Sequence, residues 1–147
     1  MDKSFTDRHW QSADGLTLHF REYGSAGNRP PVICLHGLTR NARDFEDLAP
    51  HIAGQGWRVL VPSMRGRGDS DYAEDPESYQ VGTYMLDVLA LLDTEEIDSF
   101  VSIGTSMGGL ITLALAAVHP DRIRGAVLND VGPLLETAGL DAIKTYV

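Results

Sequence analysis

The sequence has little of what marks several large classes of protein. It contains 147 residues and a single cysteine, Cys34, which excludes an internal disulfide and a metal site built from several cysteines. Lys and Arg number 12 against 21 Asp and Glu, so the formal net charge is −9 and neither nucleic acid nor an anionic membrane is an expected partner. No apolar run is long enough to span a bilayer, and residues 1–5 show no secretory signal, which together predict a cytoplasmic protein.

Apolar runs alternate with segments of helical periodicity along most of the chain. The continuous apolar run at residues 32–35 is typical of a strand that is covered on both faces. Parallel strands joined by helical crossovers produce such an alternation, so we predict an α/β fold with a mostly parallel sheet and helices on both faces. The predicted strands are residues 5–12, 16–22, 32–35, 58–61, 100–103 and 125–128, and the predicted helices are residues 45–53, 81–92 and 107–119. Because proline belongs in a first helical turn, Pro50 predicts that the first of these helices is short.

One serine stands in a glycine-rich turn between a predicted strand and a predicted helix. The segment reads Gly104-Thr105-Ser106-Met107-Gly108-Gly109. A G-x-S-x-G turn in this context is typical of a nucleophile elbow, which raises the serine oxygen clear of the backbone at the start of a helix. Gly104 and Gly108 are predicted to lie where any side chain would collide with neighbouring backbone. A helix N-cap is the alternative interpretation of Ser106, and the glycine pattern favours the nucleophile.

Two further motifs follow predicted strands. His36-Gly37-Leu38-Thr39 comes directly after residues 32–35, and Pro62-Ser63-Met64-Arg65-Gly66-Arg67-Gly68-Asp69-Ser70 comes after residues 58–61. With the serine turn, and in this order, these motifs make the chain resemble the N-terminal half of α/β-hydrolase fold proteins, in their serine hydrolase and esterase branch. The family usually has an aspartate where this chain has Ser63, which is a departure in a structural loop.

The resemblance implies a role for each residue of the serine turn and of the first loop. Ser106 would be the catalytic nucleophile, and the backbone N–H groups of Leu38 and Met107 would form the oxyanion hole. Gly37 would allow the loop to approach closely, and His36 would act as a structural histidine rather than as a base. No metal or organic cofactor is implied.

The rest of a catalytic triad is not evident in the sequence. In the family that the chain resembles, the order is serine, acid, histidine, but no histidine follows His119. His119 itself is expected at the far end of the helix that begins beside Ser106, out of reach. Asp130 stands where some members of the family place the acid. The alternative is that Asn129, Asp130 and the residues after them form only a turn at a strand end.

The resemblance also predicts how the chain is organised and what it does. Residues 1–132 would be the N-terminal part of the hydrolase core, truncated after the sixth strand, and residues 133–147 would begin a lid. A missing C-terminal half, or a second chain, would complete the sheet. The expected function is hydrolysis of a small ester-like substrate through an acyl-enzyme. Alternatives are a non-catalytic interaction module, a C–C bond hydrolase and a cofactor-free haloperoxidase, whereas serine at the apex argues against the epoxide hydrolase and haloalkane dehalogenase branches.

Overall fold

The framework consists of six strands and three α-helices, and the computed structural model describes residues 4–130. The strands are β1 (Thr6–Gln11), β2 (Thr17–Tyr23), β3 (Val32–Leu35), β4 (Val59–Pro62), β5 (Phe100–Thr105) and β6 (Ile123–Asn129). The helices are α1 (Leu48–Gly54), α2 (Val81–Thr94) and α3 (Met107–Val118), and short 3₁₀ turns lie at Ala42–Phe45, Pro76–Ser78 and Pro120–Arg122.

All six strands join one sheet in the order β1-β2-β4-β3-β5-β6. The hairpin strands β1 and β2 pair antiparallel, and β2 also pairs antiparallel with β4. The remaining pairs, β4 with β3, β3 with β5 and β5 with β6, are parallel. This arrangement confirms the predicted α/β fold with a mostly parallel sheet.

The sheet buries apolar side chains on both faces, as predicted. On one face the larger cluster joins strand residues such as Leu18, Ile33 and Leu60 to α2 and α3. On the other face a smaller cluster, which includes Cys34 and Val61, packs against α1 and the 3₁₀ turn before it. The chain therefore has helices on both faces of the sheet. Burial raises the pKa of the Cys34 thiol to about 12, which suits an inert core residue.

The first predicted helix was wrong in including Phe45, whereas Pro50 lies in the first turn of a short helix, as predicted. Phe45 belongs to a separate 3₁₀ turn, and α1 begins only at Leu48. Pro50 explains the break, because its ring lacks an N–H and would clash with the carbonyl of Glu46 if one α-helix ran through both residues. Asn41 begins the 3₁₀ turn, since its side chain accepts a hydrogen bond from the Arg43 N–H.

The topology brings several loops to one edge of the sheet. Because β3, β4, β5 and β6 are parallel, their carboxyl ends meet at that edge. The loops that start at His36, Ser63, Ser106 and Asp130 therefore converge there.

Strand β6 lies at one end of the described sheet and is poorly covered. Val127 and Leu128 are 56% and 37% exposed. Among residues 4–130, no helix has the length and the apolarity needed to cross a bilayer. The predicted lid at residues 133–147 lies outside the described residues.

Candidate active site

Ser106 occupies a strained backbone conformation between β5 and α3. Its φ is 53° and its ψ is −114°, a combination that residues with a side chain rarely adopt. The Ser106 N–H donates to the Asn129 carbonyl at 2.8 Å, and the Ser106 carbonyl accepts from the N–H groups of Gly109 and Leu110. The turn is thus held from β6 on one side and from α3 on the other, with the serine side chain half-buried.

The two glycines of the turn are required by close backbone contacts. A Cβ on Gly104 would lie 2.5 Å from the Gly108 carbonyl oxygen. A Cβ on Gly108 would lie 2.0 Å from the carbonyl oxygen of Leu35, at the end of β3. Both distances are far inside van der Waals contact, so a side chain at either position would push α3 away from the sheet.

Two buried hydroxyl groups brace the same turn from below. The Thr112 hydroxyl donates to the Gly108 carbonyl at 2.8 Å, and it lies 2.7 Å from the Ser102 hydroxyl. Ser102 belongs to β5 and Thr112 to α3, so the pair ties the strand to the helix across the base of the turn. Neither residue had a structural or catalytic role predicted from the sequence.

The loop after β3 lies directly against the serine. A Cβ built on Gly37 would sit 3.6 Å from the Ser106 Cβ and 3.8 Å from the Thr105 carbonyl oxygen. Leu38 follows and is 54% exposed, whereas Met107 is buried. Within residues 4–130, the N–H groups of Leu38 and Met107 donate to no protein acceptor. Two free donors beside a serine are what an oxyanion hole needs, and their assignment to that role stays a prediction.

His36 is buried between the loops that follow β3 and β4. Its Nε2 accepts the Met64 N–H at 2.9 Å, which leaves the proton on Nδ1, and Nδ1 donates to the Gly37 carbonyl at 2.7 Å. Burial lowers the pKa of the ring, so His36 is neutral near pH 7. With both nitrogens engaged, His36 positions the Gly37 loop and is not available as a base for Ser106.

Arg65 anchors the loop after β4, although no function was predicted for it from the sequence. Its side chain is 1% exposed and makes paired hydrogen bonds with Asp87 on α2, at 2.7 and 2.8 Å. It makes a second pair with Asp14 at the hairpin tip, at 2.9 and 3.0 Å. The signal in the sequence was an arginine within the loop motif that begins at Pro62, three residues after a buried strand ends. Because Met64 precedes Arg65, this cluster also fixes the N–H that holds His36.

Ser63 takes part in the same loop through its hydroxyl and its carbonyl. Its Oγ accepts the Ala42 N–H at 3.1 Å, and its carbonyl accepts the Ser70 hydroxyl at 2.7 Å. The Ser63 side chain therefore holds the start of the 3₁₀ turn. The family that the chain resembles usually has an aspartate at this position.

Asp130 lies beside the serine turn, at the end of β6. It follows Asn129, the residue whose carbonyl accepts the Ser106 N–H, and its own φ is 57°. Asp130 is exposed, and nothing in the described part of the chain connects its carboxylate to a histidine.

None of the five histidines serves Ser106 within residues 4–130. His19 on β2 is paired with Asp7, His51 lies in α1, and His119 follows α3. The 12 residues of α3 separate His119 from Ser106, a rise of roughly 18 Å. The same part of the chain contains no cluster of three His, Cys, Asp or Glu side chains that could hold a metal ion.

Comparison with known proteins gives consistent matches. A family described as the alpha/beta hydrolase fold matches residues 30–144. A curated relative from Cupriavidus necator, named 3-hydroxybutyrate-oligomer hydrolase, is 39% identical over 88% of this chain and 44% of its own. Epoxide hydrolase 2 from Siraitia grosvenorii is 28% identical over 79% of this chain and 36% of its own. The crystal structure of an alpha/beta hydrolase from Novosphingobium aromaticivorans is 60% identical, with a TM-score of 0.85, over 100% of this chain and 51% of that one.

A mostly parallel sheet that presents a serine on a strained strand–turn–helix junction is typical of one class of α/β proteins. The chain belongs to the α/β-hydrolase fold family, which confirms the family that its motifs predicted, and its place in the serine hydrolase and esterase branch stays a prediction. It spans about half the length, or less, of the relatives that it matches.

Proposed function

We propose that Ser106 is the nucleophile of an enzyme that hydrolyses carboxylic esters or related acyl compounds. The observation that carries the proposal is the strained Ser106 backbone with the Gly37 loop packed against it. Strain of this kind persists only where the surrounding structure imposes it, and it is concentrated at functional sites. The glycine contacts and the Ser102–Thr112 brace supply that surrounding structure.

The reaction would proceed through an acyl-enzyme. The Ser106 oxygen attacks the substrate carbonyl carbon while a base removes the hydroxyl proton. The oxyanion that forms binds the N–H groups of Leu38 and Met107. The ester C–O bond then breaks, the alcohol leaves with that proton, and water releases the acid from Ser106. We propose that the base is a histidine supplied by further chain or by a second chain, and that Asp130 is a candidate for the acid that orients it.

The name of one relative favours ester chemistry over the alternatives. An oligomer of 3-hydroxybutyrate joins the hydroxyl of one unit to the carboxyl of the next, which is an ester bond. Other relatives are named epoxide hydrolases, but that branch of the family has an aspartate at the apex where this chain has Ser106. A C–C bond hydrolase or a haloperoxidase would use the same serine turn, and a non-catalytic module would leave it unused.

An active-site-directed fluorophosphonate, added to the whole protein with the histidine that activates Ser106, tests the proposal. We expect stoichiometric labelling at Ser106, because the label reacts with an activated serine that is flanked by oxyanion donors. Ser106→Ala should abolish labelling, and Ser25→Ala, at an exposed serine outside the strands and helices, should leave it unchanged. A folded protein that takes up no label would instead be the interaction module.

A further inference from the structure

We propose that Arg40 binds a carboxylate of the substrate, so that the site takes esters carrying a second, ionised carboxyl group near the bond that is cleaved. This inference rests on the proposed role of Ser106 and adds the substrate class to it.

The side chains of Arg40 and Ser106 both approach Gly37. The Arg40 Cγ and the Ser106 Cβ each lie 3.6 Å from the point where a Gly37 side chain would begin. The Arg40 N–H also donates to the Gly37 carbonyl at 3.1 Å, which closes a turn around Leu38. The arginine is therefore fixed relative to the N–H group assigned to the oxyanion hole.

One edge of the Arg40 guanidinium is held and the other is open. Nε donates to both oxygens of the Asp44 carboxylate, at 3.0 and 3.1 Å, and the adjacent terminal nitrogen lies 2.8 Å from one of them. The remaining terminal nitrogen has no partner within residues 4–130, and the side chain is 65% exposed. Asp44 thus orients the guanidinium and leaves N–H donors for an incoming carboxylate.

A local cation would offset the negative charge of this chain for such a substrate. The formal net charge of −9 repels an anionic ester at long range. Arg67, in the loop after β4, is the rival cation, because its charge acts on His36 and it has no ion pair in the described part of the chain. Arg40 is favoured because its stem and Ser106 both lie against Gly37, whereas Arg67 lies against the surface hollow formed with Tyr72 and Tyr79.

The test compares two esters that differ in one charge. The p-nitrophenyl monoester of glutaric acid ends in a carboxylate, and p-nitrophenyl glutaramate ends in a neutral amide of the same size. We expect kcat/KM to favour the carboxylate ester by about tenfold, the order expected for a partly exposed charge-assisted hydrogen bond. Arg40→Gln should bring the ratio close to one, and Arg67→Gln should leave it at the wild-type value. Arg43→Gln, at an exposed arginine of the adjacent 3₁₀ turn, should keep the preference and controls for the loss of one positive charge.

Each outcome bears on one of the two proposals. Equal rates for both esters in the wild type overturn the carboxylate site and leave Ser106 as the nucleophile. A preference that survives Arg40→Gln and disappears in Arg67→Gln overturns the assignment to Arg40. If the whole protein cleaves neither ester, fluorophosphonate labelling decides whether Ser106 is the nucleophile, and NMR titration of Ser106→Ala with glutaramate and glutaramide tests the binding site separately. Equal affinity for these two compounds would then overturn the carboxylate site as well.

Discussion

Ser106 combines a reactive position with an unfavourable backbone conformation. A φ of 53° with a ψ of −114° lies outside the regions that residues with a Cβ prefer. The surrounding contacts hold this conformation, because the Ser106 N–H is bonded to Asn129 and the turn is packed against Leu35. The residue therefore stores strain that the rest of the fold must offset.

Two substitutions of Ser106 distinguish the effect of backbone strain on stability from the loss of the nucleophile. Both Ser106→Ala and Ser106→Gly remove the nucleophile, but only glycine relieves the backbone. Strain of about 1–3 kcal/mol is opposed by the backbone entropy of glycine, about 0.5–1 kcal/mol, so we expect Ser106→Gly to be more stable than Ser106→Ala by about 1 kcal/mol. Urea unfolding of the two variants measures the difference. Equal stability, or a less stable glycine variant, would mean that the turn is not strained.

At the scale of elements, the loop after β4 depends on a buried cluster of charges. Arg65 joins Asp87 on α2 to Asp14 at the hairpin tip. Burial raises the pKa of Asp87 although Arg65 opposes that effect, whereas the hydrogen bond from Arg65 is the largest cause that lowers the pKa of Asp14 to about 2. Asp87 therefore pairs with Arg65 in the protein interior, whereas Asp14 pairs with it at the surface.

We expect the two carboxylates to differ in their contribution to stability. Asp87→Asn leaves a buried guanidinium short of its charged partner and should destabilise the protein by about 3 kcal/mol. Asp14 is 56% exposed at its side chain, so Asp14→Asn should cost less than about 1 kcal/mol. Urea unfolding of the pair at pH 7 provides the comparison. Similar losses for both variants would show that Arg65 does not depend on the buried partner.

The same cluster predicts a dependence of stability on pH. Because folding lowers the pKa of Asp14 from 3.8 to about 2, its pairing with Arg65 stabilises the fold above pH 3.8. That contribution is lost as the pH falls towards about 2. Stability of Asp14→Asn should consequently fall less steeply in this interval than that of the wild type.

The regular elements were predictable from the sequence to a large extent, and the loops that connect them were not. Alternation of the apolar run at Val32–Leu35 with amphipathic helices fixed the α/β class, and G-x-S-x-G placed Ser106 at the start of α3. The roles of Arg65 and Thr112 could not be predicted, because their partners lie on other elements and pair only after the sheet has formed. Pro50 predicted the short α1, whereas helical periodicity wrongly extended that helix back to Phe45.

At the scale of the whole molecule, the described sheet ends in a strand with an exposed apolar surface. Val127 and Leu128 of β6 are large, apolar and open to water. Soluble proteins usually cover or charge such an edge, because it invites pairing with another chain. Since the chain spans about half the length, or less, of its relatives, we propose that further chain, or a second chain, covers β6 in the whole protein.

A charge placed on β6 tests whether that strand is covered. If further chain packs on β6, Val127→Lys buries an unpaired ammonium and should destabilise the whole protein by about 3 kcal/mol or more. If β6 is an edge, the same lysine stays in water and should change the stability by less than about 0.5 kcal/mol while reducing aggregation. Leu86→Lys, on the exposed side of α2, is the matched control, because Leu86 is 54% exposed in the described structure. Unfolding by urea and light scattering of the three proteins distinguish the cases, and a Val127→Lys protein as stable as the Leu86→Lys control would refute the covered strand.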